Sequence, residues 1–178
     1  MLGDPDLSLR GMAAISLSHL GDDAGRMTLV QMLGIKSHRL GAATQLGLLG
    51  DERGLDVLRQ SFSDSASSPE TKMRAAVGLG RAGETNAATF LKEILSEGRY
   101  VVDAAGALAA LGEDEAIPAL VRQLELTSIR VRAATSLRRM GHKVELGPLV
   151  HALKTGNAAG RVAAAEAILL LSTAQEQK

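Results

Sequence analysis

Six copies of one short sequence pattern run along the chain, and this repetition constrains the fold more than any other feature. In most copies a basic residue is followed by paired alanines, two large apolar residues, a glycine and an acid. In the six copies, the residue after the last apolar position is residue 21, 50, 83, 112, 141 or 172. Successive members of this series are separated by 29, 33, 29, 29 and 31 residues. Self-similarity at such a period predicts a solenoid, in which one supersecondary unit stacks on the next.

The second copy shows how one repeat is expected to fold. Ala42, Ala43 and Leu46 recur at helical spacing, so an apolar stripe runs along a first helix. Gly50 follows the last large residue, where a glycine can take the left-handed conformation that ends a helix. Asp51 comes next and is well placed at the start of a second helix. Each repeat is therefore predicted to be two antiparallel helices joined by a tight turn.

Composition supports a helical core. Apolar residues make up 46% of the 178 residues and aromatic residues only 2%, so the core must be built from Ala, Leu, Val, Ile and Met. Small apolar residues pack helices closely and favour an all-α fold over a sheet. The one long interval contains a polar stretch, residues 63–70, which we interpret as a lengthened loop and not as a domain boundary. The prediction is a single repeat domain over residues 1–178.

The motif R-x-x-A-A-x-x-L-x-x-L-G-D/E resembles the HEAT-like repeats of the phycobilin-lyase (PBS lyase) type, from Asp4 to about Leu171. The resemblance implies an all-α, right-handed α-solenoid of about five to six HEAT-like helical hairpins. Proteins with such repeats include interaction scaffolds, chromophore-lyase subunits and, in one branch, a di-iron hydroxylase; a related branch comprises DNA glycosylases. In these families the recurring arginine pairs with an acid of a neighbouring repeat. The resemblance implies that role for Arg10, Arg39, Arg130 and Arg161.

The sequence offers no constellation for catalysis, a cofactor or a metal. The chain has no cysteine, and its four histidines are each followed by a residue other than glutamate, so the His-Glu pairs of a di-iron site are missing. There is no G-x-x-x-x-G-K-S/T loop and no G-x-S-x-G motif. Lys plus Arg and Asp plus Glu both number 20, which argues against a nucleic-acid binder. The phenylalanines, Phe62 and Phe90, fall on apolar helix stripes and are interpreted as core residues.

One face of the first helices is the candidate binding surface. The residues nine, five and two positions before each repeat's final position share a stripe opposite the core, on the face expected to be concave. This stripe has arginines in the third and fifth repeats, and the candidate partner-binding residues are Arg74, Arg81, Arg132, Arg138 and Arg139. A groove that is basic there and shallow at Gly78, Ala107 and Ala110 would suit an acidic peptide or helix. The alternative is that these arginines are solvated or pair with acids such as Asp103.

The two ends carry a second signal. Neither end of the repeat array has the polar character of a capping repeat. Met12 and Ile15 in the first helix, and Leu169 and Leu170 in the last, are expected to lie on uncovered sides. Exposed apolar patches of this kind mark an interface or a truncated neighbour. We therefore expect either a homo-oligomer or a fragment of a longer solenoid.

The function that these features favour is a non-enzymatic scaffold that binds a protein or peptide partner, an acidic one, on the concave face. The alternative is a subunit of a lyase-type or other enzyme whose active site is completed by a second chain. Nucleic-acid binding is the least favoured of the three. The start of the chain lacks a secretory signal and no apolar run could span a bilayer, so the expected location is cytoplasmic, with no membrane partner.

Overall fold

The computed structural model describes residues 2–172, and throughout this range the chain is helical, with no β-strand. Two compact units are present, one ending at Ala88 and the other beginning at Thr89, and each is described by itself. The all-α prediction is confirmed. The prediction of a single domain over residues 1–178 stays a prediction, and its first residue and residues 173–178 lie outside the described range.

Eleven α-helices follow one another within residues 2–172, and two short 3-10 segments precede α6 and α8. The helices are α1 (Leu7–His19), α2 (Asp23–Met32), α3 (Arg39–Leu48), α4 (Glu52–Ser63), α5 (Pro69–Arg81), α6 (Ala88–Ser96), α7 (Val101–Ala110), α8 (Ile117–Gln123), α9 (Arg130–Arg139), α10 (Gly147–Thr155) and α11 (Ala158–Ser172). The odd-numbered helices carry the paired alanines and are the first helices of repeats 1 to 6. The even-numbered helices are the second helices of repeats 1 to 5.

Five glycines end the first helices as the sequence predicts. Each has a positive φ, between 67° and 92°, and we call them the turn glycines: Gly21, Gly50, Gly83, Gly112 and Gly141. After each of them, the next amide reaches back to the carbonyl five residues earlier, as where Asp51 N donates to Leu46 O at 2.9 Å. This bond satisfies a carbonyl that the helix end would leave unpaired. The sixth position, Ser172, is the last residue of α11.

In repeats 1 and 2 an aspartate begins the second helix. Asp22 accepts a hydrogen bond from Ala24 N at 2.8 Å, and Asp51 accepts one from Arg53 N at 3.1 Å. Each carboxylate thus caps the first turn of its helix. Four residues after the turn glycine the two helices of the repeat cross very closely. A Cβ at Gly54 would lie 2.5 Å from Leu46 Cβ and 2.6 Å from Ala43 O, and Gly25 is equally confined.

In repeats 3 and 4 the same turn has a glutamate and an alanine instead. Glu84 and Glu113 make no side-chain capping bond, and 3-10 segments, Thr85–Ala87 and Asp114–Ala116, stand before α6 and α8. The final alanine of each segment replaces the crossing glycine and is fully buried. The second helix is therefore entered through a tighter turn when the aspartate cap is absent.

Repeat 5 departs from the pattern. His142 follows the turn glycine, residues 142–146 form no regular helix, and α10 begins only at Gly147. Its second residue, Pro148, suits a helix start because proline lacks an amide hydrogen. α10 packs against α11 and scarcely contacts α9, whereas in repeats 1 and 2 the two helices of the repeat pack along their length. Both helices that the sequence predicts for repeat 5 are present, but α10 packs on α11 more than on α9.

Small and branched apolar residues fill the core of both units. The second alanine of the pair is fully buried in repeats 1 to 5, and so is a leucine eight residues after each turn glycine: Leu29, Leu58, Leu91, Leu120 and Leu149. In the first unit, Ala14 and Leu29 of repeat 1 share a cluster with Ala42 and Leu46 of repeat 2. Repeats 1 and 2 thus bury their stripes against each other, as a solenoid requires.

The polar stretch predicted as the loop 63–70 is shorter in the structure. Ser63 ends α4, and Pro69 and Glu70 already belong to α5, so the loop covers only residues 64–68. Ser68 accepts a hydrogen bond from Thr71 N at 3.2 Å and caps α5, which makes proline at the first helical position favourable.

Candidate protein-interaction surface

All five candidate arginines are exposed on first helices. Arg74 and Arg81 lie seven residues apart on α5, and Arg132 and Arg139 hold the same two positions on α9, with Arg138 beside Arg139. Two turns of helix separate the members of each pair, so both members point to the same side of their helix. Each unit thus carries one such pair, α5 in the first and α9 in the second.

The middle of the predicted stripe is buried in repeats 3 and 4. Gly78, between Arg74 and Arg81, is buried, and a Cβ there would lie 2.7 Å from Thr44 Oγ1 and 2.9 Å from Leu58 Cδ2. Ala107 is fully buried as well. The expectation of a shallow groove is wrong at Gly78, which packs on repeat 2, and at Ala107, which is buried. In repeat 3 the exposed members of the stripe are its two ends, Arg74 and Arg81.

Within residues 2–172, Arg132 is the one candidate that comes within 4.0 Å of a carboxylate oxygen. Its Nη1 lies 4.0 Å from Asp103 Oδ1, and both side chains are more than half exposed. An exposed pair at this separation contributes little free energy and is screened by salt. Within residues 2–172 no ion pair or side-chain hydrogen bond is formed by Arg74, Arg81, Arg138 or Arg139. Four of the five candidate charges are therefore not neutralised by the described part of the chain.

The recurring arginine does not pair with an acid in the way that the family resemblance implies. Arg130 is only 4% exposed and donates to three carbonyls: Leu124 O at 2.6 Å, Glu125 O at 3.0 Å and Gly160 O at 3.1 Å. The first two acceptors end α8, where the carbonyl dipoles favour a cation. Arg39 and Arg161 are exposed and Arg10 is half-buried, and none of these three shows an ion pair within residues 2–172.

The neighbouring repeats are instead linked by cations of the second helices. Arg59 Nη2 lies 2.7 Å from Glu84 Oε1, and Lys92 Nζ lies 2.7 Å from Glu113 Oε2 and 2.9 Å from Glu115 Oε1. Both cations stand nine residues after a turn glycine, and both reach the acid that follows the next turn glycine. The Glu113 and Glu115 carboxylates raise the pKa of Lys92, and the ammonium in turn lowers the pKa of Glu115. This pairing follows a fixed sequence spacing, so it was predictable from the sequence, but it was not predicted.

The four apolar residues predicted at the two ends differ in their exposure to solvent. Met12 is 57% exposed, as expected, but Ile15 is half-buried and packs against the cluster of repeats 1 and 2. Ile15 therefore faces the following repeat and not the uncovered side of α1. Leu169 is 65% exposed and Leu170 is half-buried. Self-association through these residues stays a prediction.

The described residues contain no assembled metal or membrane-crossing element. Within residues 2–172, no three His, Asp or Glu side chains come close enough together to hold a metal ion. The helices in that range are all too short or too polar to cross a bilayer.

Comparison with known protein families agrees with this repeated helical architecture. Residues 36–106 match the family of HEAT repeats, and residues 102–125 match the PBS lyase HEAT-like repeat. No curated protein matches the chain with significant similarity. The two family matches overlap at residues 102–106 and together cover residues 36–125, which contain three turn glycines and three buried alanine pairs. These matches support a HEAT-like repeat protein of the PBS lyase type.

Proposed function

We propose that the chain is a non-enzymatic scaffold that binds a protein partner through the exposed arginines of its first helices. The observation that carries this proposal is that Arg74, Arg81, Arg138 and Arg139 are exposed and form no ion pair within residues 2–172. Arginine guanidinium groups bind carboxylates through two parallel hydrogen bonds, so an acidic peptide or helix is the partner that these side chains fit. The face involved is the one expected to be concave, and a cytoplasmic location stays a prediction.

The test is affinity capture of partners from native lysate, followed by mass spectrometry. Wild-type protein is compared with a variant in which Arg74, Arg81, Arg132 and Arg139 are all changed to Glu. The reversals should abolish capture of the partner and leave the melting temperature nearly unchanged, since all four side chains are exposed. Reversal of Arg39 and Arg161, which are exposed elsewhere on first helices, is the matched control and should preserve capture.

A second candidate is a subunit of a lyase-type or other enzyme that a second chain completes. The match of residues 102–125 to the PBS lyase HEAT-like repeat favours it. Recovery of a bilin or a nucleotide in place of a polypeptide would support this candidate against the scaffold. Nucleic-acid binding ranks third and predicts a steep dependence of affinity on salt.

A further inference from the structure

The neutral net charge of the chain conceals a strong separation of charge along it. Residues 126–172 contain seven Lys and Arg side chains and only two acids, whereas residues 2–125 contain 12 Lys and Arg against 17 acids. The part of the chain that begins after α8 is therefore strongly basic although the whole is neutral. Asymmetry of this kind points to a charged partner for one region more than for the others.

The basic charge concentrates at the turn of repeat 5, where the other repeats are acidic. The residue after the turn glycine is Asp22, Asp51, Glu84 or Glu113 in repeats 1 to 4. In repeat 5 the sequence around Gly141 reads Arg138-Arg139-Met140-Gly141-His142-Lys143, which we call the basic turn. Among residues 126–172, the exposed acids are Glu145 and Glu166, and neither forms an ion pair with the described part of the chain.

Arg138 occupies a position that is buried in repeats 1 to 4. Three residues before the turn glycine, these repeats have small residues that are buried: Ser18, Gly47, Gly80 and Ala109. At Gly47 a Cβ would lie 3.1 Å from Leu55 Cδ2 of the second helix and 3.3 Å from Ala82 Cβ of the next repeat. In repeat 5 the corresponding residue is Arg138, and it is exposed. A position that is closed in repeats 1 to 4 therefore presents a guanidinium to solvent in repeat 5.

We propose that the basic turn binds a carboxylate-rich segment of a partner protein. This inference rests on the proposed scaffold function and assigns the acidic partner to the second unit. Arg138, Arg139 and Lys143 are exposed and form no ion pair within residues 2–172, so binding breaks no internal pair of theirs. Two of the three cations are arginines, whose planar fork matches carboxylate geometry. No aromatic residue occurs in residues 126–172, so the base stacking that single-stranded nucleic acids need is not provided there.

The experiment measures binding of a fluorescent Glu/Asp-rich peptide by anisotropy, with its Gln/Asn counterpart and a duplex DNA as competing probes. Wild-type protein should bind the acidic peptide in preference to both others, and added salt should weaken that binding. The variant Arg138→Glu/Arg139→Glu/Lys143→Glu should lose at least about tenfold in affinity. A second variant, Arg138→Lys/Arg139→Lys, keeps the charge but not the fork and should lose only part of it.

Arg39→Glu/Arg161→Glu is the matched control, because both arginines are exposed on first helices and lie outside the basic turn. Both variants replace exposed cations by acids, so a difference between them reports where the peptide binds. Unchanged binding in the control supports the proposal. Equal losses in the two variants, failure of wild-type protein to bind the acidic peptide, or tighter binding of the duplex DNA would each overturn it.

The outcome is separable from that of the scaffold function. Capture of a protein partner by wild-type protein, retained in the Arg138→Glu/Arg139→Glu/Lys143→Glu variant, would overturn the assignment to the basic turn and leave the scaffold intact. Capture of no polypeptide by wild-type protein would remove the scaffold function itself.

Discussion

The second helix begins in one way in repeats 1 and 2 and in another way in repeats 3 and 4, although the turn glycine is left-handed in all four. Asp22 and Asp51 cap the helix directly, whereas Glu84 and Glu113 lie at the same position and bond instead to Arg59 and Lys92 of the preceding repeat. One additional methylene group moves the carboxylate out of reach of the helix amides and into reach of a neighbouring cation. The same motif position thus stabilises its own repeat in one case and the contact between repeats in the other.

The crossing residue changes together with the acid. Glycine occurs there in repeats 1 and 2, at Gly25 and Gly54, and alanine in repeats 3 and 4, at Ala87 and Ala116. Without a Cβ the second helix lies directly against the backbone of the first, so its α-helical turns begin at once. With an alanine, a 3-10 segment leads into the helix. The length of the acid and the size of the crossing residue therefore vary as a pair.

The largest expected effect comes from Gly54→Ala. The new Cβ would collide with Leu46 Cβ and Ala43 O, and a backbone oxygen in α3 cannot turn aside. We expect a loss of about 2–3 kcal/mol in the free energy of unfolding, because overpacking forces the helices apart. Chemical denaturation measures it. In the same helix pair, Gly41→Ala meets nothing within 4 Å and should instead stabilise by about 0.5–1 kcal/mol. Equal effects at both positions would contradict the close crossing.

A smaller effect separates the two kinds of acid. Asp51→Ala removes the cap of α4 and should cost about 1 kcal/mol, whereas Glu113→Ala removes a half-buried ion pair with Lys92, which keeps its bond to Glu115, and should cost less. Thermal unfolding of the two variants at low salt gives the comparison. A greater loss of stability for Glu113→Ala would show that the ion pair between repeats stabilises the fold more than the helix cap does.

The smallest effect concerns pH. Arg53 Nε donates to Asp51 Oδ1 at 2.9 Å, and the hydrogen bonds and charge of Arg53 lower the pKa of this carboxyl despite its burial. A carboxyl whose folded pKa is lowered stabilises the fold above its ordinary pKa, and this contribution is lost as pH falls through the folded value. Asp51→Asn keeps a capping side chain without the charge. The stability that this variant loses relative to wild type should be largest at neutral pH and should disappear in acid.

Urea unfolding across that pH range tests the expectation. Asp22→Asn is the control, because the carboxylate of Asp22 receives its hydrogen bond from the backbone of Ala24 and forms no ion pair within residues 2–172. Its difference from wild type measures what the change from Asp to Asn does to a cap that has no such ion pair. A deficit of Asp51→Asn that stayed constant into acid would assign the effect to the cap alone.

The sequence predicted the regular features of this fold because they repeat. The five turn glycines follow from local backbone geometry, and the buried alanine pairs follow from periodicity. The crossing glycines were also readable, since a small residue occurs four positions after the turn in four successive repeats. The same holds for the separation of charge, which the balanced total conceals.

Other features depend on packing that no local pattern reports. Arg39 and Arg130 occupy the same motif position, yet Arg39 is exposed and Arg130 is buried among the carbonyls of Leu124, Glu125 and Gly160. The exposure of the candidate arginines was predictable from helical spacing. The burial of Gly78 between two of them was not, since it requires knowing how closely repeat 3 approaches Thr44 and Leu58.

Arg130 has a consequence for how this part of the chain opens. In a repeat array each unit ordinarily couples only to its nearest neighbours, so the terminal repeat can fray alone at little cost. Arg130 belongs to repeat 5 but bonds to the end of repeat 4 and to Gly160 at the start of α11. Detachment of α11 would remove Gly160 O as an acceptor for Arg130 and expose the Arg130 guanidinium to water. Amide exchange near Gly160 should therefore rise and fall together with exchange at the end of α8, so that three repeats open as one cooperative segment.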